Sequence, residues 1–180
     1  ESEIYLYSRE LIFRYNGDSF DKIWKLSDKD EGIEGKGTIQ TLIKVEDRIF
    51  VRVWGLGLYE LKNDQFIKIE KSEIFSKNRI ESMVAIDNGK IAIFSSKLGT
   101  LIYDGNQFLL HKNKRLNSWI KEKLIYNTSE VKKLSNGHFP LISFEGGILI
   151  LDTKLNIVNL VDLSDGLLSN TITSIFIDKN

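Results

Sequence analysis

Short runs of alternating apolar and polar residues cover most of the chain, and polar turn sequences separate them. The clearest turns read DNG at 87–89, DGN at 104–106 and SNG at 135–137. Runs of this length, rich in β-branched residues and bounded by Asn-Gly or Asp-Gly, are typical of antiparallel hairpins. Only the stretch LNSWIKEKLIY at 116–126 has the spacing of a helix. The pattern therefore predicts an all-β fold with one short helix.

The hairpins repeat along the chain. Residues 4–20, 49–66, 91–108 and 139–157 each contain an apolar strand, a turn, a second apolar strand, a polar turn and then an aromatic or aliphatic residue. When the strand starts are aligned, the equivalent residues are Ile4, Phe50, Ala92 and Pro140. The turn position then lies seven residues later in every copy, at Leu11, Gly57, Gly99 and Gly147. A further strand precedes a hairpin at 38–45, 79–86 and 171–178, and more weakly at 129–134.

A repeat of this size predicts a β-propeller. We expect four units of roughly 45 residues, at 1–37, 38–78, 79–127 and 128–170, with 171–180 starting or completing another blade. A sheet of three or four strands cannot bury both of its faces alone, but sheets stacked around an axis cover one another. The alternative is a β-sandwich whose hairpins are alike by coincidence. Because four blades are few for a closed ring, we expect part of a larger propeller. The last strand would otherwise complete the first blade.

Composition excludes several classes of function. Lysine and arginine total 25, as do aspartate and glutamate, so charge gives no reason to expect nucleic-acid binding. The absence of cysteine excludes disulfides, thiolate nucleophiles and cysteine metal sites. No apolar run is long enough for a membrane helix, and no signal peptide is recognisable. Since the chain begins at Glu1 rather than methionine, we expect a processed or trimmed fragment.

Catalytic and cofactor motifs are lacking in the sequence. His111 and His138 have no partner motif, so we expect structural or solvated roles for both. The acidic loop containing Asp28, Asp30, Glu31 and Glu34 has the oxygen ligands that calcium prefers, but its spacing departs from that of an EF-hand. We therefore expect a solvated loop, no metal site, no cofactor and no enzymatic activity.

Three residues are candidates for ligand binding: Arg52, Trp54 and Trp119. Trp54 directly precedes a turn with two glycines, where a large apolar side chain is not needed, and Trp119 lies in the longest insertion between units. Tryptophan stacks on sugar rings through its apolar face, and arginine donates hydrogen bonds to hydroxyl or carboxylate groups. The alternative is that each tryptophan covers a blade edge or packs against a neighbour.

Residues 163–178 resemble a known repeat. They read LSDGLLSNTI at 163–172, followed by Ser174, Ile175 and Asp178, and are similar to the "DGL-S-N-I-SI-D" segment of the two-component regulator propeller repeat. The sequences GLGLY at 55–59 and EGGI at 145–148 are similar to the glycine-rich "GGGL" turn of that repeat. This family occurs in the periplasmic sensor regions of bacterial hybrid two-component regulators, especially in Bacteroidetes.

The resemblance implies a non-enzymatic periplasmic sensor that belongs to a membrane-anchored receptor. It implies a carbohydrate signal, and further blades, a membrane helix and a histidine kinase elsewhere in the same chain. A protein-interaction or homodimerisation propeller without a small-molecule ligand is the main alternative, and a propeller lyase or hydrolase is a third. A concave surface with aromatic and polar groups favours the sensor, and a large apolar outer patch favours the interaction module.

Overall fold

The computed structural model describes residues 3–26, 33, 35–123 and 131–178, which form four antiparallel sheets. The chain is thus mostly β, as the alternation predicts. The first sheet contains β1 (Ile4–Tyr7), β2 (Leu11–Tyr15) and β3 (Phe20–Lys25), and the second contains β4 (Thr38–Val45), β5 (Arg48–Trp54), β6 (Gly57–Lys62) and β7 (Gln65–Lys68). The third contains β8 (Ser82–Ala85), β9 (Ile91–Ser95), β10 (Gly99–Tyr103) and β11 (Phe108–Leu110), and the fourth β12 (Phe139–Ile142), β13 (Ile148–Leu151) and β14 (Ile157–Val161).

Within each sheet, strands that follow one another in sequence pair with one another. The chain divides into two compact units, Glu1–Lys77 with the first and second sheets, and Asn78–Asn180 with the third and fourth. In the first unit, Ile12 and Trp24 of the first sheet share a hydrophobic cluster with Val51, Tyr59 and Phe66 of the second. Facing sheets bury their apolar side chains in this way.

The second unit repeats this arrangement. Ala92 and Phe94 of the third sheet share a hydrophobic cluster with Leu141 and Leu149 of the fourth. A helix, α1 (Lys114–Glu122), adds its own apolar side chains to the same cluster. The helix begins two residues before the predicted range 116–126, because the side chain of Asn113 caps it by accepting a hydrogen bond from the Leu116 amide at 3.1 Å. Residues 124–126 of the predicted range lie outside the described part of the chain.

The turn glycine of the repeat allows a close approach of the chain. Its φ is positive in all three copies that have it: Gly57, Gly99 and Gly147. The segment that leaves each sheet returns to this turn, where Ser72 Oγ accepts from the Leu58 amide at 3.1 Å and Asn117 Oδ1 accepts from the Thr100 amide at 2.8 Å. A Cβ at Gly57 would lie only 2.8 Å from Ser72 Oγ. Glycine is thus required for both conformation and space.

The strand register corrects one predicted equivalence. In three sheets the residue three positions after the turn glycine pairs with the predicted strand start: Glu60 with Phe50, Ile102 with Ala92, and Ile150 with Pro140. In the first sheet the residue three positions after Leu11 is Arg14, and it pairs with Tyr5 rather than Ile4. The turn between β1 and β2 is therefore one residue shorter than the equivalent turn of the other three sheets. Tyr5 is therefore the equivalent residue, and the faces of β1 are exchanged relative to the prediction.

Two predicted strands are not found. Residues 171–178 belong to no sheet, because the Ile172 amide donates to the Ser143 carbonyl at 2.9 Å and Thr171 Oγ1 donates to the Phe144 carbonyl at 2.7 Å. These bonds lead to the turn before Gly147 rather than to a strand ladder. The segment 131–134 is also outside the sheets, and residues 129 and 130 lie outside the described part of the chain.

The segment that resembles the regulator repeat folds against the fourth sheet. Its short 3-10 turn, Leu163–Asp165, has a capping box in which Asp162 and Asp165 each accept a backbone hydrogen bond from the other end of the turn. Asn170 Oδ1 accepts from the Leu163 amide at 3.0 Å, and the Asn170 carbonyl accepts from the Gly147 amide at 2.9 Å. The segment therefore provides the contact at Gly147 that the returning chain provides at Gly57 and Gly99.

Glu60 on β6 should make the stability of the protein dependent on pH. Burial raises the pKa of this carboxyl group, but a hydrogen bond from Arg48 at 2.6 Å and an ion pair with Lys62 at 3.0 Å outweigh burial and hold the pKa below its ordinary value. The stability that this charge contributes is complete above the ordinary carboxyl pKa and is lost as the pH falls through the lower folded-state value.

We therefore expect the free energy of unfolding in urea to fall below about pH 5, and Glu60→Gln to remove part of that dependence. Glu122→Gln, which removes a carboxylate at an exposed position on α1, is the control for the loss of one negative charge. Identical pH profiles for the wild type and Glu60→Gln would contradict the assignment.

Candidate ligand-binding site at Trp54

Trp54 is an exposed aromatic residue on an otherwise buried strand. It is the last residue of β5 and pairs with Thr38 at the beginning of β4. Its exposed fraction is 43%, whereas Val51 and Val53 on the same strand are fully buried. The turn that follows begins at Gly55, and Leu56 within it is half-buried. The indole is therefore an accessible flat surface held on a rigid element.

Arg52 lies beneath this surface. Its side chain is 1% exposed, and its guanidinium carbon is 5.2 Å from the centre of the Trp54 ring. Nε donates to the Phe75 carbonyl at 2.8 Å, and Nη1 donates to Gln40 Oε1. A cation at this distance from an indole attracts the ring through its quadrupole. Arg52 is thus placed to hold the indole rather than to reach outward.

Two partners of Arg52 were not identified from the sequence. The pairing of β4 with β5 shifts between Ile39 and Thr41, so Gln40 is the extra residue of a β-bulge. Bulges re-aim side chains, and this one directs the Gln40 amide to the guanidinium. The other partner, the Phe75 carbonyl, belongs to a 3-10 turn spanning Ser72–Phe75. The sequence does contain one signal for these contacts, an arginine between two valines on a strand. An arginine in such a strand is placed to be buried, and a buried guanidinium needs hydrogen-bond acceptors.

Close backbone packing fixes the end of β5. A Cβ at Gly37 would lie 2.6 Å from the Trp54 carbonyl, so only glycine allows the chain to pass there. The Gly55 amide donates to the Ser76 carbonyl at 2.9 Å. These contacts hold the Trp54 backbone on both sides, which reduces the conformational entropy that ligand binding would cost.

Trp119, the third candidate residue, lies in a hydrophobic core. It is 9% exposed and belongs to the cluster of the second unit, so the expectation of an exposed aromatic residue in the insertion is wrong. Leu116, Trp119 and Ile120 are spaced as i, i+3 and i+4 and form the apolar face of α1. The helix uses Trp119 to cover the core, as the alternative interpretation of this residue holds.

The two histidines have local contacts. Burial lowers the pKa of His111, whose carbonyl accepts from Asn117 Nδ2 at 2.7 Å. His138 Nδ1 lies 3.1 Å from Asn136 Nδ2 within a turn. Within residues 3–26, 33, 35–123 and 131–178 no group of three His, Asp or Glu side chains could hold a metal ion. The acidic loop with Asp28, Asp30, Glu31 and Glu34 lies outside the described residues.

Comparison with known proteins shows the fold of the chain. No protein-family profile and no curated protein matches the sequence. Among solved structures, the extracellular domain of the hybrid two-component system BT3049 of B. thetaiotaomicron is 15% identical, with a TM-score of 0.61 over 95% of this chain and 22% of that one. The extracellular domain of BT4673 from the same organism is 16% identical, with a TM-score of 0.53 over 80% of this chain and 22% of that one.

These similarities place the chain structurally beside extracellular domains of Bacteroides two-component systems. The chain spans about a fifth of the length of these domains. In the described part of the chain, no helix has the length and apolar character needed to cross a membrane.

Proposed function

We propose that this chain is part of the non-enzymatic, periplasmic sensor region of a two-component regulator and that it recognises a glycan. The observation that carries the proposal is the fold it has in common with extracellular domains of such receptors. In this proposal the four sheets are blades of a larger β-propeller. The further blades, the membrane helix and the histidine kinase belong to the same receptor chain.

The propeller arrangement is supported by the repeated packing of the sheets. In the first unit, the face of the first sheet that carries Ile12 and Trp24 covers the face of the second sheet that carries Val51 and Tyr59. In the second unit, the equivalent face of the third sheet covers the equivalent face of the fourth sheet. A packing mode that recurs with the sequence repeat is the property expected of stacked modules, since each module contacts only its neighbours. A sandwich needs no such periodic relation between consecutive sheets.

Trp54 is proposed to be the sugar-stacking residue. An exposed indole on a rigid strand end offers an apolar plane to the C–H face of a sugar ring. Arg52 is a positioning residue in this proposal, since Nε and Nη1 are used within the protein. The groups that hold the platform are an amide, a guanidinium and a backbone carbonyl. None of them transfers protons readily at neutral pH, which supports binding without catalysis.

Replacing Trp54 with alanine tests this site. Oligosaccharides prepared from plant and host polysaccharides would be screened on an array, and the best binder would be titrated by calorimetry. We expect Trp54→Ala to weaken binding at least about tenfold, because an aromatic anchor carries much of the affinity at such sites. The control is Ile67→Ala, which removes an exposed apolar side chain from β7 of the same sheet.

Two outcomes would count against the proposal. Unchanged affinity of Trp54→Ala would place the glycan elsewhere on the protein. If no oligosaccharide binds either this chain or the complete extracellular region, the interaction or dimerisation propeller becomes the better explanation. That alternative is supported by one observation, an exposed apolar face on the first sheet.

A further inference from the structure

The first sheet has one covered face and one open face. Its covered face contributes Ile12 and Trp24 to the core of the first unit. The open face contains large apolar side chains that are between 48% and 55% exposed: Ile4, Leu6, Phe20 and Ile23. A groove of about 360 Å³ crosses this face and is lined by Leu6, Tyr7, Ser8, Phe13, Phe20 and Ile23. Contiguous exposed apolar surface of this kind marks an interaction site.

The strand register shows which face of the second sheet corresponds to the open face. In the first sheet Leu6 pairs with Phe13, and Tyr15 pairs with Phe20. With Tyr5 equivalent to Phe50, the corresponding pairs in the second sheet are Val51 with Tyr59, and Leu61 with Phe66. Val51, Tyr59 and Phe66 are all buried in the core. Equivalent faces are thus covered in the second sheet and open in the first sheet.

The face of the second sheet that carries Val51, Tyr59 and Phe66 is covered by the face of the first sheet that carries Ile12 and Trp24. Trp24 packs its indole against Phe66 with ring centres 5.3 Å apart, and Ile12 belongs to the same cluster. The second unit follows the same rule. Leu141, which corresponds to Val51, shares a cluster with Ala92 and Phe94, and these two residues correspond to Phe50 and Arg52.

We infer that the open face of the first sheet is the docking surface for a further antiparallel sheet of the same repeat, supplied by another segment of the complete receptor chain. That sheet would present a face equivalent to the one that carries Tyr5, Ile12 and Trp24. An aromatic side chain equivalent to Trp24 would contact Phe20, as Trp24 contacts Phe66, and would fill the groove beside it. The inference rests on the proposed blade repeat and makes no use of glycan binding.

A second copy of this chain fits the surface less well. To cover the open face in the same way, it would have to offer a face of the type that carries Ile12 and Trp24. Two of the four faces of this type in the chain are not available: that of the first sheet is used inside the first unit, and that of the third sheet, with Ala92 and Phe94, is used inside the second. A sheet from elsewhere in the receptor has no such conflict.

The absence of cysteine allows a direct test of the docking surface. Ile23→Cys places a thiol in the groove, and Lys97→Cys places one on an exposed turn as the control. The rate of maleimide labelling would be measured for both variants in the 180-residue chain and in the complete natural chain. We expect the Ile23 position to label at least about tenfold more slowly in the complete chain, with the Lys97 position unchanged.

Equally fast labelling at the Ile23 position in both chains would overturn the inference, since the face would then be open in the receptor. A 180-residue chain that is dimeric by light scattering, and monomeric after Phe20→Ser, would overturn it in favour of a second copy. A second measurement guards against poor folding of the cysteine variant. Phe20 contacts Phe13 and Tyr15 of its own sheet, so Phe20→Ser should lower the melting temperature of both chains, but that of the complete chain clearly more. An equal or smaller loss in the complete chain would also overturn the inference.

Discussion

Replacing Trp24 with alanine is expected to lower the free energy of unfolding by about 3–5 kcal/mol, the usual range for removing a large aromatic side chain from a core. The indole is 1% exposed and contacts the rings of Phe66 and Tyr5 at 5.3 and 6.3 Å between centres. Its Nε1 donates to the Asp64 carbonyl at 2.9 Å. Truncation leaves a cavity between the first and second sheets and an acceptor without its donor. Urea unfolding measures the loss.

The matched control is the same substitution at an exposed site. Trp54→Ala should cost much less, because that ring is 43% exposed. Trp24→Phe should fall between the two, since it keeps an aromatic ring but loses a hydrogen bond with a net value of about 1 kcal/mol. Equal losses for Trp24→Ala and Trp54→Ala would mean that the first sheet does not pack on the second as described.

Replacing Gly147 with alanine is expected to be similarly severe, with a loss of about 3 kcal/mol or more from overpacking and backbone strain together. A Cβ at this position would lie 2.2 Å from the Val161 carbonyl, and φ is +74°. Relief of that contact must move β14 or the segment whose Asn170 carbonyl accepts from the Gly147 amide. The effect is measured as a shift in the urea midpoint.

Gly105→Ala separates strain from crowding. Gly105 also has a positive φ, of +101°, but nothing lies within 4 Å of an added Cβ. The substitution therefore has only the backbone cost, about 1–2 kcal/mol. Gly147→Ala should be clearly worse. If the two variants lose the same stability, the chain does not approach the turn of the fourth sheet closely.

Local signals identified most strands but not their partners. The range 38–45 was predicted in full as β4 because alternation and flanking turns are properties of the segment itself. The segment 171–178 has the same alternation but belongs to no sheet, because pairing depends on a partner strand that local sequence does not specify. The correction of the equivalent residue from Ile4 to Tyr5 has a related cause. A turn that is shorter by one residue reverses the two faces of β1 and leaves its alternation of apolar and polar residues intact.

The candidate site was predictable only in part. Trp54 could be identified because a large apolar residue before a double-glycine turn is unusual. The burial of Arg52 depends on a bulge at Gln40 and on a carbonyl 23 residues away at Phe75, and neither has a local signature. The burial of Trp119 contradicts the prediction, although the sequence contains the signal for it. Its spacing to Leu116 and Ile120 is that of a helix face directed at a core.

The bond between each returning segment and its turn has a consequence for sequence divergence. Tyr5, Phe50, Ala92 and Pro140 are 45, 42 and 48 residues apart, whereas the hairpin pairing after each turn position is constant. A single side chain, such as Ser72 or Asn117, fastens the outgoing chain to the hairpin. Insertions beyond that fastening can accumulate without altering the sheets, so related chains should vary in length mainly between the sheets.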